Sequence, residues 1–201
     1  MTTPTPLPAD ALRDAVAMRY GAVARDATID APFPVGRAYA EAVGYPPDVL
    51  DRLPPSAVAT FTGVTYLPGW IAFGAGQQVV DLGCGAGVDT LIAAMQVGPE
   101  GRVTAVDLAP EMVELTRQHA HMAGLETIAV RQAAVESLPL PSASADVVMA
   151  NGVFNLAAET EHALAEAFRV LKPGGTLVAA EIVLTQDIPL SERNTLDDWF
   201  R

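Results

Sequence analysis

Cysteine is almost missing from this sequence: its 201 residues include one, Cys84. A lone cysteine forms no intrachain disulfide and builds no cysteine metal cluster. Basic residues are scarce too, with 12 Lys and Arg against 24 Asp and Glu and a formal net charge of −12. They are scattered and form no run, so the field of the chain repels nucleic acid and anionic membrane surfaces. The plainest consequence of the acidity is solubility. No stretch is apolar for long enough to span a bilayer. Met1-Thr2-Thr3-Pro4-Thr5-Pro6 lacks the basic and apolar regions of a secretory signal. These absences predict a soluble, cytoplasmic chain that binds no metal, nucleic acid or membrane and takes a small-molecule substrate.

Half the residues are apolar, enough for a sizeable core, and the 16 Gly and 16 Pro are dispersed as turn residues. Leu12 and Val16 fall at helical spacing within 10–24 and predict an amphipathic helix ending near Tyr20-Gly21. Seven prolines between 32 and 68 leave room only for short helices, over 37–43 and 47–53. Residues 1–75 therefore read as a helical cap, and 76–201 as the main domain. There the signals are sharper. Strands are predicted at 78–82, 102–107, 127–131, 145–150 and 176–183, with a turn at 172–175. Helices are predicted at 88–97, 110–123 and 159–171. Strands alternating with helices imply right-handed βαβ units on a parallel sheet, an α/β Rossmann-like architecture of about five strands.

The chemistry gathers at Asp81-Leu82-Gly83-Cys84-Gly85-Ala86-Gly87. A glycine-rich turn from strand to helix lets a ligand approach the backbone and aims helix N–H groups at it. A dinucleotide loop requires a third glycine where Val88 stands, and no Gly-Lys-Ser/Thr follows for a phosphate loop. Asp81 closes the strand beside the loop. A pyrophosphate there would meet a carboxylate, whereas the ammonium and sulfonium of S-adenosylmethionine would be attracted to it. Asp107 closes the next strand about 20 residues beyond the glycines, where a carboxylate accepts ribose hydroxyls. The competing account is two helix-capping aspartates around a tight turn.

Val80–Gly87 resembles the signature of class I S-adenosylmethionine-dependent methyltransferases. The likeness continues through 101–112, 136–139 and 168–175, and covers roughly residues 40–185. Within the class the chain is most similar to the arsenite methyltransferase branch, through Gly98–Arg102, Asn151–Leu156 and Tyr20-Gly21. The resemblance implies that Asp81, Gly83, Gly85 and Gly87 hold the amino-acid part of the cofactor and Asp107 its ribose. It implies that Leu108 and Met112 pack on the adenine, and that Val135 and Glu136 meet its edge. Asn151 would face the methyl donor. Ala134 stands where many relatives have an acid for the adenine amine, leaving that contact to backbone groups or to Glu136. The branch's cysteines have no counterparts here. Gly152 follows Asn151, and the upstream cysteine segment is Thr62–Pro68. Soft trivalent arsenic needs several thiolates, so arsenite is not an expected acceptor.

Asn151, Phe154 and Asn155 follow the fourth strand and are placed to face the donor; Asn151 and Asn155 are the first acceptor-side candidates. His162, near the start of its helix, is a candidate base. Glu181 points either at the site or into the edge of the core. Tyr20, Tyr66 and Trp70 are cap residues able to close over a ligand. His119 and His121, two apart on a helix and far from the site, are expected to be solvated. The class I sheet has seven strands in the order 3-2-1-4-5-7-6, and strands six and seven have no counterpart before Arg201. Leu190, Leu196, Trp199 and Phe200 would lie beside an edge left open at strand five. Either the sequence is a fragment of a longer enzyme or a homo- or hetero-oligomer covers that edge. Three functions are compatible: a methyltransferase acting on a small molecule, a methyltransferase-like subunit whose partner completes the site, and a non-catalytic cofactor-binding subunit.

Overall fold

The computed structural model describes residues 8–183. A long helix, α1 (Ala9–Arg25), and three short ones, α2 (Arg37–Ala42), α3 (Pro47–Leu50) and α4 (Pro55–Ala59), precede the sheet. Pro46 and Pro54 stand immediately before α3 and α4, and Pro47 and Pro55 occupy their first turns, where a missing N–H costs nothing. A 3₁₀ turn at Leu67–Trp70 leads to the sheet. Then β1 (Gln78–Leu82), α5 (Val88–Val97), β2 (Arg102–Asp107), α6 (Pro110–Met122) and β3 (Ile128–Gln132) follow. Last come β4 (Ala145–Asn151), α7 (Thr160–Val170) and β5 (Leu171–Ala180).

All the pairings are parallel, in the order β3-β2-β1-β4-β5. The central strand β1 is buried from Val79 to Leu82, Asp81 included, because both its faces are covered. Helix α5 is mostly apolar and is buried except at Met95 and Gln96, as a helix packed on two sides must be. Ala93, Ala94 and Val97 meet the sheet at Val79, Val103 and Met149. Val88, Leu91 and Ile92 turn the other way, to Tyr45, Leu50 and Phe61 of the N-terminal segment. Helix α1 lies over α6, with Val23 buried against Ala86, Ala109 and Met112. Arg25 pairs with Glu111, and Gly21 passes so close to Glu111 that a Cβ there would stand 2.6 Å from Oε2.

Two sequence expectations are corrected at β5. The predicted turn at 172–175 is a bulge inside the strand: Ala145 pairs with Leu171 but Val147 with Thr176, so the extra residues loop out of register. Gly174, at φ 81°, and the Lys172–Asp146 ion pair at 2.8 Å hold this bulge. The strand ends at Ala180 instead of Val183 because Glu181 leaves the ladder to accept the backbone N–H groups of Val153, Phe154 and Asn155. Among the described residues no strand pairs with the outer edge of β5. The expectation for Leu190, Leu196, Trp199 and Phe200 lies outside the described residues.

Candidate functional site

A cleft opens at the carboxyl ends of β1, β2 and β4, where ligands sit in open α/β sheets. It encloses about 660 Å³, its open mouth included. Gly83, Gly85 and Asp107 form its floor, Leu108, Val135 and Glu136 one wall, and Arg13, Val16 and Tyr20 of α1 its roof. A smaller recess continues behind the glycine loop, lined by Thr60–Gly63, Asp81, Cys84 and Asp89. The two spaces share Thr62, Gly83, Gly85 and Asn151.

The loop between β1 and α5 needs glycine for two opposite reasons. Gly83, at φ 63°, has no room: a Cβ there would stand 2.3 Å from Val153 Cγ2. Gly85, at φ 53°, faces open space, with no atom within 4 Å of the Cβ position. The loop is held from beneath. Asp107 Oδ2 accepts the Gly85 N–H at 2.8 Å, and Cys84 N–H donates to the Val106 carbonyl at 3.0 Å. Thr116 donates to the Gly85 carbonyl at 2.6 Å, and His119 Nδ1 meets the Ala86 carbonyl at 2.8 Å.

Three buried carboxylates surround this loop. Asp81 accepts the Thr90 hydroxyl at 2.5 Å. Asp89 accepts the Tyr45 hydroxyl at 2.5 Å and the Asn151 amide at 2.8 Å. Asp107 accepts Ala109 N–H as well as that of Gly85. Burial raises the pKa of all three, and the charges of Asp89 and then Asp107 raise Asp81 further, well above the usual carboxylate range. Asp89 is pushed up to about 6 by burial, against the opposing bonds from Tyr45 and Asn151. The groups that bond these acids are neutral hydroxyls, a neutral amide and backbone N–H groups. With so little compensation the charged forms of these acids are disfavoured in the empty cleft, and a cation entering it would draw them back towards ionisation.

Of the residues singled out from sequence, Gly83, Gly85, Asp107, Leu108, Val135, Glu136 and Asn151 line the larger cleft. Asp81 lines the recess, and Gly87 packs instead against Thr116. Met112 is fully buried beside Val23 and Ala109, away from the cleft lining. Glu136 accepts Ala158 N–H at 3.1 Å and Arg13 Nε at 3.4 Å. Asn155 donates to the Ile182 carbonyl on the surface, and exposed His162 pairs with Glu159 at 3.2 Å; neither lines the cleft. Tyr20 lines it, stacked on Phe33. Trp70 is exposed at the opposite end of the sheet beside the β5 bulge. His121 is exposed, but His119 is 1% exposed and bridges Ala86 to Ser56, correcting the expectation that it is solvated. Helical spacing alone did not say which of these two histidines faces inward.

Asp89, Thr90, Thr116 and Arg13 escaped the sequence reading. An acid and a hydroxyl in the first turn of an otherwise apolar helix were the available signal for Asp89 and Thr90. For Thr116 and His119 it was their three-residue separation, which puts both on one face of α6.

The family model for the methyltransferase domain matches residues 74–201. An arsenite methyltransferase from Halobacterium salinarum is 38% identical over 118 residues, covering 59% of this chain and 30% of that protein. An S-adenosyl-L-methionine-dependent Diels–Alderase from Talaromyces variabilis is 35% identical over 132 residues, covering 64% of this chain and 44% of that protein. Among solved structures, an arsenic(III) S-adenosylmethionine methyltransferase from Chlamydomonas reinhardtii superposes with a TM-score of 0.61 at 31% identity. That superposition covers 80% of this chain and 53% of the other. The chain thus spans well under two thirds of the length of these relatives.

Proposed function

This chain belongs to the methyltransferase domain family, and from that premise we propose that its cleft takes S-adenosylmethionine and that it methylates a small-molecule acceptor other than arsenite. One observation carries the reading: the open face of Gly85, backed by the buried carboxylates of Asp107, Asp81 and Asp89. The cavity at Gly85 accommodates a ligand that any side chain would displace. The acids suit a cationic ligand and oppose a pyrophosphate. Both features fit S-adenosylmethionine.

Asp81, Gly83, Gly85 and Gly87 belong to the amino-acid end, where Asp81 and Asp89 offset positive charge. Asp107 serves the ribose. It already accepts two backbone N–H groups, and an ionised carboxylate has about four lone-pair directions. Leu108 and Val135 offer apolar contact to the base, and Glu136, steadied by Arg13 and Ala158, borders its edge. Met112 supports that wall from the core. The bound cofactor supplies a methyl group activated by a sulfonium. The chain's own part is to position the acceptor and exclude water, which α1 does by roofing the cleft with Val16 and Tyr20. Asn151 borders both spaces, whereas Asn155 and His162 need a rearrangement to reach an acceptor. Within this sequence arsenite lacks its thiolates, since Cys84 is the only cysteine and is buried within the loop itself.

The second reading, a methyltransferase-like subunit whose reaction is not methyl transfer, is favoured by the likeness to the Diels–Alderase and by the outer edge of β5, with which no strand pairs among the described residues. A homo- or hetero-oligomer would cover that edge. No described helix is long and apolar enough to cross a membrane, in keeping with a cytoplasmic enzyme. Calorimetry with S-adenosylmethionine and S-adenosylhomocysteine tests the cofactor. Absence of heat at millimolar ligand, in the chain alone and with its co-purifying proteins, overturns it. Incubation with methyl-labelled donor and candidate acceptors, arsenite included, separates the two readings.

A further inference from the structure

Helix α6 carries a device that cofactor binding alone does not explain. Thr116 and His119 lie one turn apart on its inner face and are essentially inaccessible. Their polar atoms take successive carbonyls of the glycine loop, Gly85 at 2.6 Å and Ala86 at 2.8 Å. The loop sits so tightly on this helix that a Cβ at Gly87 would stand 2.9 Å from Thr116 Cγ2. A carbonyl only accepts, so His119 must carry its proton on Nδ1, which leaves Nε2 as an acceptor. The partner of Nε2 is the Ser56 hydroxyl on α4, at 2.8 Å, which therefore donates. The Ser56 carbonyl in turn accepts the Thr60 hydroxyl at 3.0 Å, and Thr60 begins the segment that lines the recess.

We propose that His119 is a positioning residue that joins the cofactor loop to the N-terminal helices. With Thr116 it fixes the loop's carbonyls, and through Ser56 it couples the loop to α4 and the Thr60–Gly63 wall. The inference rests on the reading of this loop as the cofactor site, but its test does not require a bound cofactor. A histidine that merely fills the core changes global stability when replaced. A positioning histidine changes how often the loop opens.

Cys84 reports that opening. It is the only cysteine, it is buried in the loop, and its sulfur lies 3.7 Å from both Thr116 Oγ1 and the Gly85 carbonyl. The rate of its reaction with an aromatic disulfide reagent in native buffer follows local opening. Ser56→Ala removes one neutral hydrogen bond and should speed labelling by about fivefold. His119→Leu removes two and should speed it by about 25-fold, in each case in step with the rise in the global unfolding constant measured in urea, because a bond broken in the open loop is broken in the unfolded chain as well. His119→Gln, whose amide both donates and accepts, should return the rate to within about threefold of wild type. S-adenosylhomocysteine affinity should fall in the same order. Labelling that stays at the wild-type rate in Ser56→Ala and His119→Leu while the global unfolding constant rises overturns the proposal, as does wild-type labelling no faster than global unfolding allows, or failure of His119→Gln to slow labelling relative to His119→Leu. If His119→Leu does not fold, Ser56→Ala decides by the same comparison. A wild type that binds no S-adenosylhomocysteine refutes the cofactor reading and leaves the labelling result to judge the positioning role.

Discussion

Asn151, closing β4, donates its side-chain amide to Asp89 in the first turn of α5 at 2.8 Å. The same amide nitrogen reaches the Thr65 carbonyl, and the amide oxygen accepts the Val64 N–H at 2.8 Å. One side chain therefore joins a sheet strand, a buried acid and the segment that walls the recess.

Replacing it separates these parts. Asn151→Ala leaves Val64 N–H, the Thr65 carbonyl and Asp89 short of a partner, and should cost about 1–3 kcal/mol in urea unfolding. Asn151→Asp should cost more, because a second carboxylate would face Asp89. A change below about 0.5 kcal/mol for both would show that this junction contributes little.

Asp89 makes stability depend on pH. Its folded pKa of about 6 lies above the unfolded value near 3.9. The stability associated with it is fully present below about pH 4 and is lost as pH rises through 6. The loss amounts to about 3 kcal/mol at about 1.4 kcal/mol per pH unit. His119 works in the opposite sense, since burial lowers its pKa and its neutral form is favoured. Comparing wild type with Asp89→Asn cancels that contribution. The stability difference between the two proteins should shift in favour of Asp89→Asn as pH rises from 4 to 7. A difference that stays constant over this range refutes the assignment.

The loop glycines should respond differently. Gly85→Ala carries a left-handed backbone penalty of about 1–2 kcal/mol, and its methyl enters the cleft instead of striking protein atoms. Cofactor binding should be lost in a chain that still folds. Gly83→Ala pays the same penalty and also collides with Val153, so the fold itself should weaken. Melting curves and calorimetry on the two variants make the comparison; equal loss of melting temperature would contradict it.

Asp107→Asn turns an acceptor into a donor opposite either Gly85 N–H or Ala109 N–H. S-adenosylhomocysteine binding should weaken by about 1–3 kcal/mol, and labelling of Cys84 should accelerate. Unchanged binding would remove Asp107 from the site.

Most elements from β1 to α7 were legible because each carries its own signal. Val79, Val80 and Leu82 make a short apolar segment around Asp81 that glycine ends, and Pro110 and Gly124 bracket α6 with residues suited to a helix start and finish. The bulge in β5 was not legible. Lys172-Pro173-Gly174-Gly175 has the chemistry of a turn, and only the pairing of Leu171 with Ala145 keeps it within the strand. His119 was misjudged because a polar side chain on an amphipathic helix looks solvated until its partners, Ala86 and Ser56, are brought to it by segments 33 and 63 residues away. The glycines and Asp107 announced the cleft through their spacing. Arg13 did not, since its place over Glu136 depends on how α1 crosses α6.

The two-sided burial of α5 constrains how this architecture can be rebuilt. Val88, Leu91 and Ile92 are as much a part of the N-terminal layer's interior as Tyr45 or Phe61. Cutting the chain before β1 would strip that stripe to water, and grafting another N-terminal layer would set foreign side chains against it. Exchange of acceptor specificity by swapping this layer would therefore have to carry the outward stripe of α5 along with it. The unit of recombination is not the chain segment before residue 76 but that segment together with half the surface of one helix of the sheet domain.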